Sequence, residues 1–185
     1  DSLCEIDKPG EWYLDRSTGI LYLYPTAPLQ KARVVFSVLG NLLSMKGCSW
    51  VRFEGIVFEA CRGTAVVISG REGNEIYGCV IRNTGGWAVS VSGGRGSSVL
   101  SCDIYNTGEG GIILEEGERK RLLPAKHLAE SNHIHYFGRI FRTYKPAVLI
   151  SGVGNIIGHN LIHHGPHNAI QLSGNDHLIE FNEIH

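Results

Sequence analysis

Apolar and polar residues alternate along most of the chain in short runs that Gly, Asn and Ser interrupt. Val89-x-Val91 and Ile112-x-Leu114 carry the two-residue period of a strand with one buried face, and the 3.6-residue period of an amphipathic helix is absent. The runs also repeat. Met45-Lys46-Gly47, Ile68-Ser69-Gly70 and Val91-Ser92-Gly93 stand 23 residues apart, and the next step reaches Leu114-Glu115-Glu116. After longer loops the phrase returns as Ile150-Ser151-Gly152 and Leu172-Ser173-Gly174. Three apolar columns keep step with it. One reads Leu43, Val66, Val89, Ile112, Val148, Ile170; another reads Phe53, Ile76, Val99, Ala129, Ile157, Ile179. The third reads Val35, Phe58, Ile81, Ile104, Ile134, Ile162, Ile184.

A coil of about 22–23 residues with three short strands, each pairing with its copy in the next coil, is a parallel β-helix. Successive coils then lie about 4.8 Å apart, and each column becomes a stack of like side chains in a narrow core. A fifth column, two residues before the isoleucines, reads Ile56, Cys79, Cys102, Asn132, Asn160, Asn182. Its asparagines predict a ladder of stacked amides at a two-residue bend. Such a bend is typical of the right-handed, pectate-lyase-like helices. The fold expected is therefore all-β: a right-handed parallel β-helix over residues 35–185, preceded by a β-hairpin over 1–34. The hairpin is Glu11-Trp12-Tyr13-Leu14-Asp15, a turn at Arg16-Ser17-Thr18-Gly19, then Ile20 to Pro25, and its expected role is a cap on the solenoid. The helix is expected to be truncated at its C-terminal end, because the chain stops partway through a coil at Asn182-Glu183-Ile184-His185.

Composition narrows the function classes. Of 185 residues 24 are Gly, 19% are charged and 43% are hydrophobic, which excludes a disordered chain. With 17 basic and 18 acidic residues the net charge is −1, and no basic stripe points to nucleic acid. No apolar run reaches the length of a membrane span. Five cysteines form no CxxC pair and are too sparse for a disulfide framework, so Cys79 and Cys102 are expected as free, buried thiols. All nine histidines fall between His127 and His185.

Pro9-Gly10-Glu11-Trp12-Tyr13-Leu14-Asp15-Arg16, with Gly19 and Leu21-Tyr22 following, resembles the opening of a group of bacterial right-handed parallel β-helix proteins. So do Gly152-Val153-Gly154-Asn155, Asn160-Leu161-Ile162-His163, Pro166-His167 and Gly174-Asn175-Asp176-His177-Leu178-Ile179-Glu180. That group includes the glycoside hydrolase family 141 type, with fucosidase and xylanase activities. The resemblance implies part of a monomeric, extracellular or periplasmic enzyme acting on plant or algal polysaccharide. It also implies further acidic residues past His185 and an inactive fragment. One loop departs from the group: Glu116-Gly117-Glu118-Arg119 stands where relatives tend to have Gly-Gly-Asp-Arg.

In a solenoid the loops carry chemistry and the coils hold them. The two largest loops, Glu116 to about Ala125 and Phe137 to about Lys145, are read as adjacent. Arg119 in the first, and Arg142 and Tyr144 in the second, are candidate sugar contacts. The outer side of the first face presents Ser69, Ser92, Glu115, Ser151 and Ser173, beside Gln171 in the adjacent column. Glu115 and Asp176 make a conceivable pair of catalytic carboxylates, with two coils, about 9.6 Å, between them. His167 is a candidate acid–base residue, and His163, His164 and His177 are candidate substrate contacts. His135, His163 and His185 share one outward column, yet parallel imidazoles on a flat face converge poorly, so neither metal nor cofactor is expected. A lyase or epimerase on the same fold, or a glycan-binding spacer without catalysis, remains the alternative, although the tight acidic cluster a Ca²⁺ needs is absent from the sequence.

Overall fold

The computed structural model describes residues 2–31 and 33–185. They form two compact units that divide between Phe36 and Ser37. In the first, β1 (Trp12–Asp15) and β2 (Ile20–Leu23) pair antiparallel, with Trp12 opposite Leu23 and Asp15 opposite Ile20. The connecting turn is organised by Asp15, whose carboxylate accepts from the Thr18 hydroxyl at 2.6 Å and from the Ser17 hydroxyl and amide at 2.7 and 2.9 Å. Those three donors, Thr18 foremost, hold the carboxyl down at about 2.

The second unit winds through six coils of three strands each. The first is β3 (Leu43–Lys46), β4 (Arg52–Glu54) and β5 (Val57–Cys61); the second is β6 (Val66–Ser69), β7 (Glu75–Tyr77) and β8 (Val80–Thr84). The third is β9 (Val89–Ser92), β10 (Ser98–Leu100) and β11 (Asp103–Thr107); the fourth is β12 (Ile112–Glu116), β13 (Leu128–Glu130) and β14 (His133–His135). The fifth is β15 (Val148–Gly152), β16 (Ile156–Gly158) and β17 (Leu161–His163); the last is β18 (Ile170–Leu172), β19 (Leu178–Glu180) and β20 (Glu183–Ile184). Every strand pairs in parallel with its counterpart one coil on, giving three sheets of six strands. The register aligns Val89, Ile112, Val148 and Ile170 in the first sheet, and Val99, Ala129, Ile157 and Ile179 in the second. In the third it aligns Phe58, Ile81, Ile104, Ile134, Ile162 and Ile184. Val35 is in no strand, so that column begins at Phe58. The isoleucines of the inner coils are sealed from solvent, each stabilising the stack by about 1.5–3 kcal/mol.

Two polar ladders run through the bends. At the second bend Asn132 Nδ2 donates to Asn160 Oδ1 and Asn160 Nδ2 to Asn182 Oδ1, both at 2.9 Å. Cys79 and Cys102 continue that column as thiols, each donating to the carbonyl two residues back. At the first bend the column is Asn74, Ser97, His127, Asn155 and His177. There the Ser97 amide donates to His127 Nδ1, the His127 amide to Asn155 Oδ1, and the Asn155 amide to His177 Nδ1. Backbone in the left-handed region marks every bend: Gly154 and Asp176 before the second strands, Ser131 and His159 after them, Tyr136 and His164 after the third. In the last two coils the Gly that closes the Ser-Gly phrase is a steric requirement. At Gly152 φ is +92°, and a Cβ would fall 2.0 Å from the Glu116 carbonyl oxygen of the preceding coil. Among the described residues no helix is long and apolar enough to cross a membrane.

Candidate functional site

The first sheet presents Ser90, Ile113, Leu149 and Gln171 in one outward column and Ser69, Ser92, Glu115 and Ser151 in the other. The two long loops bound this strip on opposite edges and are not neighbours. The first leaves β12 for the second sheet; the other leaves β14 of the third sheet and enters β15 of the first. Loops consecutive in sequence therefore face each other across the strip, because each coil rounds a corner between them. The first loop folds back on itself through paired hydrogen bonds between Glu118 and Leu123, with Arg121 Nε 3.4 Å from Glu118 Oε1. It leaves Arg119 exposed and borders a shallow depression of about 250 Å³ that Arg95, Glu116 and Pro124 also line. The second is tied down by amides of Gly138, Arg139 and Ile140 donating to carbonyls of Glu109, Thr107 and Gly108. Lys145 Nζ sits 3.2 Å from Glu109 Oε2. Arg142 and Tyr144 are exposed on it, and His167 joins them: its Nδ1 accepts from the Tyr144 amide at 3.4 Å, and the two rings meet edge-on at 5.2 Å.

Glu115 is exposed between Ser92 and Ser151. Asp176 occupies a left-handed bend with φ +56° in register with Gly154, past the first sheet's edge. Two coil steps already amount to about 9.6 Å, the outer limit for an inverting pair, and the bend adds to it. The register does not bring these carboxylates face to face. Both ring nitrogens of His177 engage backbone, Nδ1 with the Asn155 amide and Nε2 with the Ser173 carbonyl at 3.1 Å.

His163 and His164 belong to the third sheet, where a different constellation forms. The outward columns there read Asp103, His133, Leu161 and Tyr105, His135, His163, with Glu59 and Arg82 preceding Tyr105. Arg82 donates to the Glu59 carboxylate at 2.6 and 3.0 Å and to the Tyr105 hydroxyl at 2.7 Å. Beyond Tyr105 the imidazoles take over. His133 leans across from its own column to stack on His135, centroids 4.1 Å apart, and its Nε2 meets His163 Nε2 at 2.8 Å. One Asp103 oxygen lies 3.2 Å from His133 Nδ1 and 3.1 Å from His135 Nε2. His163 Nδ1 contacts His164 Nδ1, and His185 stacks on His163 at 5.2 Å.

Residues 41–123, from just ahead of β3 into the first long loop, match the family described as right handed beta helix region. With three parallel sheets and an antiparallel hairpin before them, that settles the hand. The chain is a right-handed parallel β-helix. No curated protein and no solved structure matches it.

Within this right-handed β-helix the chemistry of the imidazoles is set by position. His127 is fully buried; burial lowers its pKa, against smaller opposing effects of Glu116 and the Ser97 amide. His135 is lowered by burial, which outweighs the Asp103 hydrogen bond, and His163 by desolvation followed by the repulsion of His133 and His164. All three are therefore held toward the neutral form, in which an imidazole keeps one lone pair for a proton or a metal. Burial also pushes the Cys102 thiol up to about 12. Of the site residues picked from sequence, the fold gathers Tyr144, His167 and Arg142 on one edge of the strip with Gln171 on the adjoining strand. It sets Arg119 on the far edge, His163 and His164 on another sheet, and His177 in a ladder. Asp103 and His133 were not among the picked residues. The signal that locates His133 is His133-x-His135, two imidazoles on one face of a strand, with His163 in register one coil on.

Proposed function

We propose that this β-helix recognises a polysaccharide along its first sheet, as part of a carbohydrate-active protein of the glycoside hydrolase type. The observation that carries the reading is the outer strip of that sheet, where Ser residues, Glu115 and Gln171 lie among Ile113 and Leu149 and a long loop leaves from each edge. Hydroxyl-rich ligands pair with such short polar groups, and an exposed Tyr144 offers a face for sugar stacking. Glu115 is the candidate carboxylate on the strip, and His167, held against Tyr144 at the strip's other edge, is the candidate proton-transfer group there. The comparisons support the fold and no particular substrate, so the hydrolase type, the fucosylated or xylan-type substrate and an exported parent protein rest on the sequence resemblance.

Affinity electrophoresis of the 185-residue chain through gels containing xylan, a fucosylated glycan or a polyuronate tests it. Retardation by at least one is expected, reduced in Tyr144→Ala and Gln171→Ala and unchanged in His185→Ala. Equal mobility in all three gels would overturn the proposal. Product analysis on the parent protein then separates hydrolysis, whose products are all saturated, from elimination, which leaves an unsaturated uronate at the new non-reducing end.

A further inference from the structure

We propose that His133, His135 and His163 bind one divalent transition-metal ion of the zinc class on the outer surface of the third sheet, with Asp103 as the carboxylate that fixes two of the rings. The site lies on a different sheet from the strip proposed to bind saccharide and does not depend on that reading. One nitrogen of each imidazole lies within 4.8 Å of the corresponding atoms of the other two. Zn–N bonds of about 2.0–2.1 Å place tetrahedral ligands roughly 3.3 Å apart. His133 Nε2 and His163 Nε2, at 2.8 Å, therefore need to separate only slightly to share an ion.

The nitrogens are also divided between anchoring and binding. His133 rests Nδ1 on Asp103 and turns Nε2 to His163; His163 rests Nδ1 on His164 and turns Nε2 to His133. His135 rests Nε2 on Asp103, while its Nδ1 is buried with no hydrogen-bond partner. A ligating histidine ordinarily gives its other nitrogen to a carboxylate in this way, which fixes the tautomer and the plane of the ring. Stacking orders the rings further: Tyr105 lies on His135 with centroids 5.0 Å apart, and His185 on His163. The objection to parallel imidazoles on a flat sheet fails at His133, which crosses between columns and makes three rings converge. Three imidazoles favour a borderline cation over Ca²⁺ or Mg²⁺, which take oxygen ligands.

The test is calorimetric titration of the metal-stripped chain with Zn²⁺ alone, together with the absorption spectrum of the Co²⁺-substituted protein. One equivalent should bind, raise the melting temperature and give the intense visible bands of four-coordinate Co²⁺. Asp103→Asn, which removes an outer partner, should weaken binding by about 10–100-fold. His133→Ala and His163→Ala, each removing a ligand, should weaken it by more than that. His167→Ala and His177→Ala should leave it unchanged. Should His163→Ala fail to fold by circular dichroism, His133→Gln carries the test, because that side chain is already 40% exposed. Absence of saturable Zn²⁺ binding would overturn the proposal. So would binding that survives loss of His133 or is abolished by loss of His167.

Discussion

Asn160 has a side chain with two acceptor sites and two donors, and all are used. Its oxygen accepts from the amide and the Nδ2 of Asn132, both at 2.9 Å; its nitrogen donates to Asn182 Oδ1 at 2.9 Å and to the Ala129 carbonyl at 3.0 Å. Asn160→Leu removes these at a position 1% exposed, leaving the Asn132 backbone amide without its acceptor and taking one of two donors from the Asn182 oxygen, which keeps the residue-160 amide at 3.0 Å. A loss of about 1–3 kcal/mol in urea unfolding is expected. His127 in the other ladder ties stability to pH. Its folded pKa lies below the ordinary 6.5, so under that pH the unfolded chain takes up a proton that the folded chain resists. The stability it confers is complete above about 6.5 and is lost as pH falls through the folded value. His127→Asn, which installs the residue found at Asn74 and Asn155 in the same column, should flatten the acid side of a melting-temperature profile measured against pH. Cys102, with its raised pKa and 2% exposure, should resist alkylating reagents until the chain unfolds.

A single strand of this molecule is too short to be stable, and its place is fixed by its copies above and below. Ile134 shows the dependence: it is fully buried in β14 between Ile104 and Ile162. Ile134→Asp would leave an unpaired charge there and should abolish the cooperative melt seen by circular dichroism. Ile134→Val, which keeps the column apolar, should cost only about 0.5–1.5 kcal/mol. The same dependence made the strands legible. Each column samples one environment repeatedly, so Phe53 to Ile179 and Phe58 to Ile184 could be read as stacks without any propensity argument. The Asn ladder was legible for the same reason. The first-bend ladder was not, because Asn74, Ser97, His127, Asn155 and His177 share a hydrogen-bonding role and no common side-chain type. The loops were misplaced as neighbours because sequence order does not count the corners of a coil.

Across the whole β-helix, protection should follow the number of covering coils. Ile157 and Ile162 are at most 1% exposed, whereas Ile179 and Ile184 in the last coil reach 37% and 52%. Amide hydrogen exchange should therefore be slowest in β9–β15 and fastest in β18–β20; uniform protection would contradict a stack stabilised by nearest neighbours. The architecture was open to sequence reading and the site much less so. Glu115, Tyr144, His167 and Gln171 could be placed on or beside one face from register alone. The imidazole cluster depends on one ring, His133, leaning out of its column, and no period encodes a side-chain rotation.

The amide ladder also gives the molecule a sense of direction. In Asn132, Asn160 and Asn182 every nitrogen that joins two rungs points toward the C-terminal coil and every oxygen points back. Their dipoles add along the axis like cells in series, each polarising the next. A strand layer joining such a stack must match that polarity as well as the parallel run of the backbone. Any further rung stacked on this ladder would therefore join head-to-tail, a heterologous contact and not the self-complementary face of a two-fold dimer.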